Sequence, residues 1–351
     1  MLLTSQEYKN EIIKVSKTDF ISWDKLKNSS ILITGATGLI GSYLIDVLMY
    51  LNSNNNLNCK IYALSRNKEE AIKKFSEYVQ NLNFVIIEAD INSNIEISEI
   101  KKIDYIIHLA SNTHPKAYAT DPIGTITTNV IGTKNIFDFG YEHDCKKILF
   151  SSSCEIYGEN KGDTEKFDEK YLGYIDCNTL RAGYTESKRC GEALCQAYIS
   201  QMNMNIVIAR LARIFGPTML KNDSKALSQF IKNGVNKENI VLKSEGNQYY
   251  SYLYVADAVT GILLILLEGI NGEAYNIADE ACDIRLKELA SIIANIVGTK
   301  VIYELPDETE KKGFSKATKA LLNNEKIKEL KWHRQFELKE MLAYTINNLK
   351  N

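Results

Sequence analysis

The sequence predicts an α/β chain, a doubly wound parallel sheet with helices on both faces followed by a smaller mixed α/β lobe. Three observations carry that expectation. Short apolar runs alternate with segments of helical period through the first two thirds of the chain, which is the pattern of βαβ units. The first of these runs, residues 30–34, stops at a glycine-rich turn that leads directly into a periodic apolar segment. After about Phe215 the alternation loosens and helices mix with short strands.

Taken in order, residues 1–29 form a polar, amphipathic lead-in helix. The opening MLLTSQEYKNEIIKV lacks the charge-then-apolar order of a signal peptide. Strands are expected at 30–34, 60–64, 84–89, 105–109, 148–150 and 204–211. Helices are expected at 42–51, 68–82, 127–141 and 184–202, so the sheet domain spans 30–215. Within 216–351, helices at 225–232, 255–267 and 286–297 accompany strands at 240–242, 274–277 and 300–303. This lobe is expected over the carboxyl edge of the sheet, with parts of the sheet domain interleaved.

Composition narrows the function. An apolar share of 45% is ample for a core, and a net charge of −2 lacks the basic footprint of a nucleic-acid binder. No apolar run approaches the length of about 18 residues that a membrane-spanning helix needs. The segment Gly261 to Leu267 reads as a core helix. The seven cysteines, Cys59, Cys145, Cys154, Cys177, Cys190, Cys195 and Cys282, form no CxxC pair. Their irregular spacing supports neither a disulfide framework nor a metal site, and points to a reducing cytoplasm.

The turn reads Gly35-Ala36-Thr37-Gly38-Leu39-Ile40-Gly41. Placed between a strand and a helix, it has the context of the Rossmann dinucleotide fingerprint. Gly35 permits the tight turn, Gly38 lets backbone approach a pyrophosphate, and Gly41 allows close helix–strand packing. The helix amino terminus then presents free N–H groups to the phosphates. The second strand ends Leu64-Ser65-Arg66, without the acid that would bind an adenosine ribose 2′-hydroxyl. Arg66 matches a 2′-phosphate, which tilts the local reading from NAD towards NADP; read blandly, it is a solvated helix-start residue. Asp90 closes the third strand and is placed for the adenine amino group.

Tyr184 and Lys188 are four residues apart, which puts both on one helical face. A lysine cation beside a phenol favours phenolate, and such a tyrosine exchanges a proton with a sugar hydroxyl during hydride transfer. In the run Phe150-Ser151-Ser152-Ser153-Cys154-Glu155, a strand enters a polar stretch at the carboxyl edge of the sheet. Ser153 is expected to hydrogen-bond the reacting oxygen. Cys154 and Glu155 are candidate acid and base, Cys154 being equally readable as an inert buried thiol. Ser151 and Ser152 read as turn formers.

Together these segments resemble the extended short-chain dehydrogenase/reductase family, the NAD-dependent nucleotide-sugar epimerases and dehydratases, from about Ile31 to Trp332. The matching segments include TGATGLIGS, Asp90-Ile91, His108-Leu109-Ala110, SSSCEIYG, YTESKRCGE, Arg213-Ile214-Phe215-Gly216-Pro217 and Tyr254-Val255-Ala256-Asp257. The resemblance implies catalysis by Ser153, Tyr184 and Lys188, with NAD lined by Thr37, Leu39, Ile40, Ile91, Leu109, Ala110 and Ser111. It further implies that Asn112, Arg181 and Arg213 reach a nucleotide-linked sugar. It also implies a homodimer built on the helices containing Thr127 to Phe139 and Tyr184 to Tyr198.

Members of this family oxidise C4 of the sugar and then act on the 4-keto intermediate. Cys154-Glu155 resembles the acid–base pair of a sugar-nucleotide dehydratase, which is the leading expectation. Arg181, three residues before Tyr184, resembles the nucleotide-glucuronate decarboxylases. A 4-epimerase and an NADPH-dependent keto-sugar reductase are further alternatives, whereas a non-catalytic dinucleotide sensor is expected to lose the Tyr–Lys pair. Two arginines common in the family are absent: Gln248-Tyr249-Tyr250-Ser251-Tyr252 has none, and near the carboxyl terminus Lys312, Lys316 or Lys319 would have to substitute.

Overall fold

The computed structural model describes residues 2–95, 97, 100–113, 115–304, 306–308 and 317–350. The main sheet has seven strands. They are β1 (Ser30–Thr34), β2 (Lys60–Ser65), β3 (Phe84–Glu88), β4 (Tyr105–His108), β5 (Lys147–Ser153), β6 (Ile206–Leu211) and β10 (Ala274–Ile277). Their order is β10-β6-β5-β4-β1-β2-β3, and every neighbouring pair is parallel. That order reverses direction beside β1, the place where open α/β sheets bind ligands. The helices α2 (Leu39–Asn54), α3 (Lys68–Lys74), α5 (Pro122–Glu142) and α6 (Ala182–Met202) make the crossovers, and α4 (Pro115–Thr120) precedes α5.

The lobe contains β7 (Arg213–Phe215), β8 (Ile240–Leu242), β9 (Tyr249–Tyr254), β11 (Asp283–Arg285), β12 (Val301–Tyr303) and β13 (Lys319–Ala320). Its helices are α7 (Ala226–Val235), α8 (Val255–Glu268), α9 (Leu286–Val297), α10 (Glu325–Glu329) and α11 (Leu338–Lys350). Strand β9 is the hub: β11 runs antiparallel to it, and β13 and β7 run parallel. β9 carries no period-2 signal in the sequence, because both of its faces are buried from Tyr250 to Tyr254.

Three sequence expectations change. The strand at 274–277 belongs to the main sheet, pairing with β6. It lies there because α8, apolar on every side and buried from Val255 to Leu267, is the crossover that packs under that edge. The helix expected over 68–82 stops at Lys74. The chain then turns so that Phe75 and Tyr78 both meet Phe84 of β3 edge-on, at 5.3 and 5.7 Å between ring centres. Ser151 and Ser152 are strand residues of β5, in register with Ala209 and Arg210, and form no turn.

The lead-in helix, α1 (Gln6–Ser16), is stitched to both halves of the chain. Tyr43 of α2 and Tyr254 of β9 donate hydroxyls to Glu11, at 2.6 and 2.8 Å. Tyr8 and Tyr78 donate to Asp46, at 2.7 and 2.9 Å. Burial raises Glu11 to about 7 against the lowering effect of its tyrosine donors. Asp46 rises to about 6 for the same reason. A carboxyl raised on folding gives stability that is complete below its unfolded value, 4.5 for Glu11, and that is lost as pH rises through about 7. Replacing Glu11 by Gln should therefore flatten the fall in thermal midpoint between pH 5 and 8. Equal slopes for the two proteins would remove Glu11 from that linkage.

Candidate active site

The glycine turn between β1 and α2 is shaped by close backbone approach. Gly35 has φ +65°, and a Cβ there would lie 2.9 Å from both Ala110 N and Leu109 C, beyond β4. A Cβ on Gly41 would lie 2.5 Å from Gly35 O. Gly38 caps α2 without a side chain, so the first N–H groups of that helix face the cleft. Space emptied of side chains beside an open helix amino terminus fits a dinucleotide pyrophosphate.

Thr34, the last residue of β1, holds the approach together. Its Oγ1 accepts from Leu109 N and Ala110 N, both at 3.1 Å, and lies 2.7 Å from His108 Nδ1. With its acceptor role filled by two amides, the hydroxyl donates to Nδ1. The other ring nitrogen, Nε2, therefore carries the proton and donates to Thr133 Oγ1 of α5 at 3.1 Å. Burial, with the nearby Lys188 charge, lowers His108 to about 3, so the ring is neutral.

The candidate glycine-turn, catalytic, cofactor and sugar-binding residues from Gly35 to Arg213 line one cleft of about 1080 Å³ over the carboxyl ends of the strands. Gly35, Thr37, Gly38, Leu39, Ile40 and Gly41 form one end, with Ser65, Arg66, Asp90 and Ile91 beside them. Leu109, Ala110, Ser111 and Asn112 continue the wall. Ser153, Cys154, Glu155, Arg181, Tyr184, Lys188 and Arg213 close the far side. Ser111 donates to Asn129 at 2.6 Å, and Asn129 donates to Ser187 of α6 at 2.9 Å. The wall is thereby fixed to the helix that bears Tyr184.

Tyr184 is not the depressed phenol expected from its spacing to lysine. Burial raises it to about 12, outweighing a hydrogen bond from Ser153. Lys188 is itself buried, donates to Ser151 O at 2.8 Å, and falls to about 7 through loss of solvent. The cation expected to stabilise phenolate is thus held towards its neutral form.

Glu155 sits in a short 3-10 turn that follows β5. Its two oxygens accept from Arg181 at 2.7 Å and from Arg213 at 2.8 Å. Burial pushes this carboxyl up, but the two guanidinium groups more than offset that and hold it below the usual range. Burial raises Cys154, against the lowering effect of Arg213, whose NH1 is 3.5 Å from the sulfur. The site therefore pairs a firmly ionised carboxylate with a thiol that keeps its proton.

Sequence reading missed two aromatic supports. Tyr118 of α4 stacks on Tyr184 with ring centres 4.6 Å apart, and the Arg181 guanidinium lies 4.4 Å from the Tyr118 ring centre. Tyr250 of β9 carries the Arg213 guanidinium 3.6 Å over its ring. The arginine lacking in β9 is thus matched by one that β7 lays over that strand, a contact only strand pairing reveals. Lys319 is in β13, away from the cleft lining; Lys312 and Lys316 lie outside the described residues. Among the described residues no cluster suits a metal ion, and no helix is long and apolar enough to cross a membrane.

A strand–glycine turn–helix cradle joined to a Ser–Tyr–Lys site defines a dinucleotide-dependent enzyme of the short-chain dehydrogenase/reductase kind. The chain belongs to the NAD-dependent epimerase/dehydratase family, whose model matches residues 31–278. It is 31% identical over 307 residues to UDP-glucuronic acid decarboxylase 6 of Arabidopsis thaliana, covering 86% of this chain and 85% of that one. It is 29% identical to UDP-glucuronic acid decarboxylase 1 of Xenopus tropicalis, over 77% of this chain and 60% of the relative. Among solved structures it shares its fold with the dTDP-glucose 4,6-dehydratase DesIV of Streptomyces venezuelae, which has NAD and TYD bound. That match has a TM-score of 0.78 at 21% identity, covering 91% and 96% of the two chains. The UDP-glucose 4-epimerase of Thermotoga maritima matches with a TM-score of 0.76 at 22% identity, over 92% and 98%.

Replacing Thr34 by Val should leave two amides and the imidazole short of their partner. The expected loss is about 2–3 kcal/mol in a denaturant titration, with weaker retention of dinucleotide. Unchanged stability would show that the β1–β4 approach stands without the hydroxyl.

Proposed function

We propose that the chain oxidises C4 of a nucleotide-linked hexuronate and releases C6 as carbon dioxide. It is, on this reading, a nucleotide-uronate decarboxylase working with NAD. The observation that carries the reading is Arg181. One of its amino groups pairs with Glu155, while Nε and the other amino nitrogen are buried without a hydrogen-bond partner among the described residues. Buried guanidinium donors without acceptors are costly. A substrate carboxylate brings the acceptors they lack. The decarboxylases at 31% identity support the same reading.

Gly35, Gly38, Gly41 and the amino terminus of α2 would hold the pyrophosphate, Asp90 the adenine, and Leu109, Ala110 and Ser111 the wall beside the nicotinamide half. Bound NAD supplies the two-electron acceptor at C4. Tyr184 takes the C4 hydroxyl proton as its own phenolic proton passes to Lys188, which burial holds towards its neutral form, and Ser153 orients the C4 oxygen. A ketone at C4 makes C6 a β-keto carboxylate, which loses carbon dioxide without a base. The C5–C6 electron pair passes to the C4 oxygen as an enolate, and C5 then takes a proton, for which Cys154 is the protonated acid in the site. The thiol regains its proton from solvent, and C4 regains the two electrons given to the cofactor, with a proton on its oxygen from Tyr184, which leaves a pentose nucleotide. Glu155, a fixed anion beside Arg181 and Arg213, aligns both guanidiniums and raises the cost of a second carboxylate there, which decarboxylation relieves.

Dehydration is the second reading, favoured by the adjacency of Cys154 and Glu155 in one turn of the cleft. It needs Glu155 as a base, whereas the two arginines that hold its carboxylate ionised weaken it in that role. Incubation with UDP-glucuronate labelled at C6 separates the readings. Decarboxylation gives labelled carbon dioxide and a pentose nucleotide. A 4-keto-6-deoxy product from a UDP-hexose, with no gas from the uronate, would assign the dehydratase instead. In the decarboxylase, Arg181→Ala should lower kcat/KM by about a hundredfold, as expected for lost charged hydrogen bonds. Tyr184→Phe should abolish turnover while the cofactor stays bound.

The lobe after residue 215 supplies the nucleotide-sugar side, and the main sheet, including β10, supplies the cofactor side. We place the protein in the cytoplasm as a homodimer through α5 and α6. The seven free cysteines support the first assignment, and the exposed Ile123, Ile126, Ile131 and Tyr141 of α5 support the second. Light scattering should give twice the chain mass, and Ile131→Glu should give the monomer. A wild-type monomer would remove the dimer.

A further inference from the structure

We infer that the adenosine-ribose end of the cleft accepts a 2′-phosphate, so that the chain binds NADP as well as NAD. The inference rests on reading the cleft as a dinucleotide site. A site selective for the unphosphorylated ribose places a carboxylate at the end of the second strand, where it accepts from the 2′-hydroxyl and repels a phosphate. Strand β2 ends instead at Ser65, followed by Arg66 and Asn67.

The polar groups at this end are committed in a way that leaves the guanidinium available. The Ser65 hydroxyl donates to Asn67 O at 3.1 Å and accepts from Asn67 N at 3.3 Å. Asn67 Oδ1 caps α3, accepting from Glu70 N at 2.9 Å. Arg66 is exposed, lines the cleft, and forms no hydrogen bond or ion pair with a described residue. Its planar donors suit a phosphate dianion.

Three carboxylates lie near and must be weighed. Glu88, in register with Ser65, accepts from Lys68 N at 3.3 Å. Asp90 lines the cleft and accepts from Asn92 N at 2.9 Å. Glu70 also lines the cleft, but Lys74, one turn further along α3, opposes its charge and places an ammonium 2.8 Å from Thr37 O in the glycine turn. Lys74 divides its charge between Asp46 and, to a smaller extent, Glu70, and Arg66 adds a positive charge at the ribose end that no described residue pairs.

The test reads bound cofactor, not turnover. Purified full-length protein, stripped of its own dinucleotide, is incubated with equal concentrations of NAD and NADP. It is then freed of unbound ligand and denatured, and the released dinucleotides are separated and weighed. NADP should make up at least about a tenth of the total. Arg66→Ala should lower the NADP-to-NAD ratio by about tenfold or more, the worth of one charge-assisted hydrogen bond, while NAD binding persists. Arg66→Lys should fall between. Release of NAD alone by the wild type, or an unchanged ratio in Arg66→Ala, overturns the inference while leaving the dinucleotide cleft intact. Uptake of neither nucleotide overturns the reading of the cleft itself.

Discussion

The hydroxyl of Thr34 is the point on which the site's architecture turns. Two amides beyond β4, the imidazole of His108 and, through it, Thr133 of α5 all depend on that one oxygen. The approach it secures leaves no room for a Cβ at Gly35. Backbone therefore lines the cleft at the phosphate end, and the wall from Leu109 to Asn112 is set at a fixed distance from the turn. A neutral, buried histidine suits this role because a charged ring would have no counterion there.

At the opposite end the governing constraint is electrostatic. Glu155, Arg181 and Arg213 come from three elements, the turn after β5, the start of α6 and β7, and meet with their side chains mostly buried. One carboxylate between two guanidiniums leaves a net positive charge and unsatisfied donors on Arg181. Aromatic faces from Tyr118 and Tyr250 support the two guanidiniums. Such a pocket is poorly suited to strong base chemistry and well suited to gripping an anion. This is why the proposed reaction moves from dehydration, the leading expectation from the Cys-Glu pair, to loss of a carboxylate.

Much of the site was legible because its residues lie at fixed places in repeating units. The glycine turn, Ser153, Tyr184 and Lys188 each follow a strand or open a helix whose period is visible in the chain, and all line one cleft. The titration state of the Tyr–Lys pair was not legible. Spacing puts the two side chains on one face, but only packing shows that Lys188 is turned to Ser151 O and that burial raises Tyr184. The roles of Tyr118 and Tyr250 were equally hidden, since α4 and β9 carry weak local signals.

Sequence alone determined the doubly wound sheet and the dinucleotide cradle, because period and glycine placement are local properties of the chain. Tertiary structure decided which strand completes the sheet, with β10 arriving from beyond residue 215. It also decided which arginine stands over β9, with Arg213 set there by the pairing of β7. It decided, finally, which groups hold protons. Strand pairing and burial depend on contacts between residues far apart in the chain, and desolvation acts on a charge only once those contacts have removed its water.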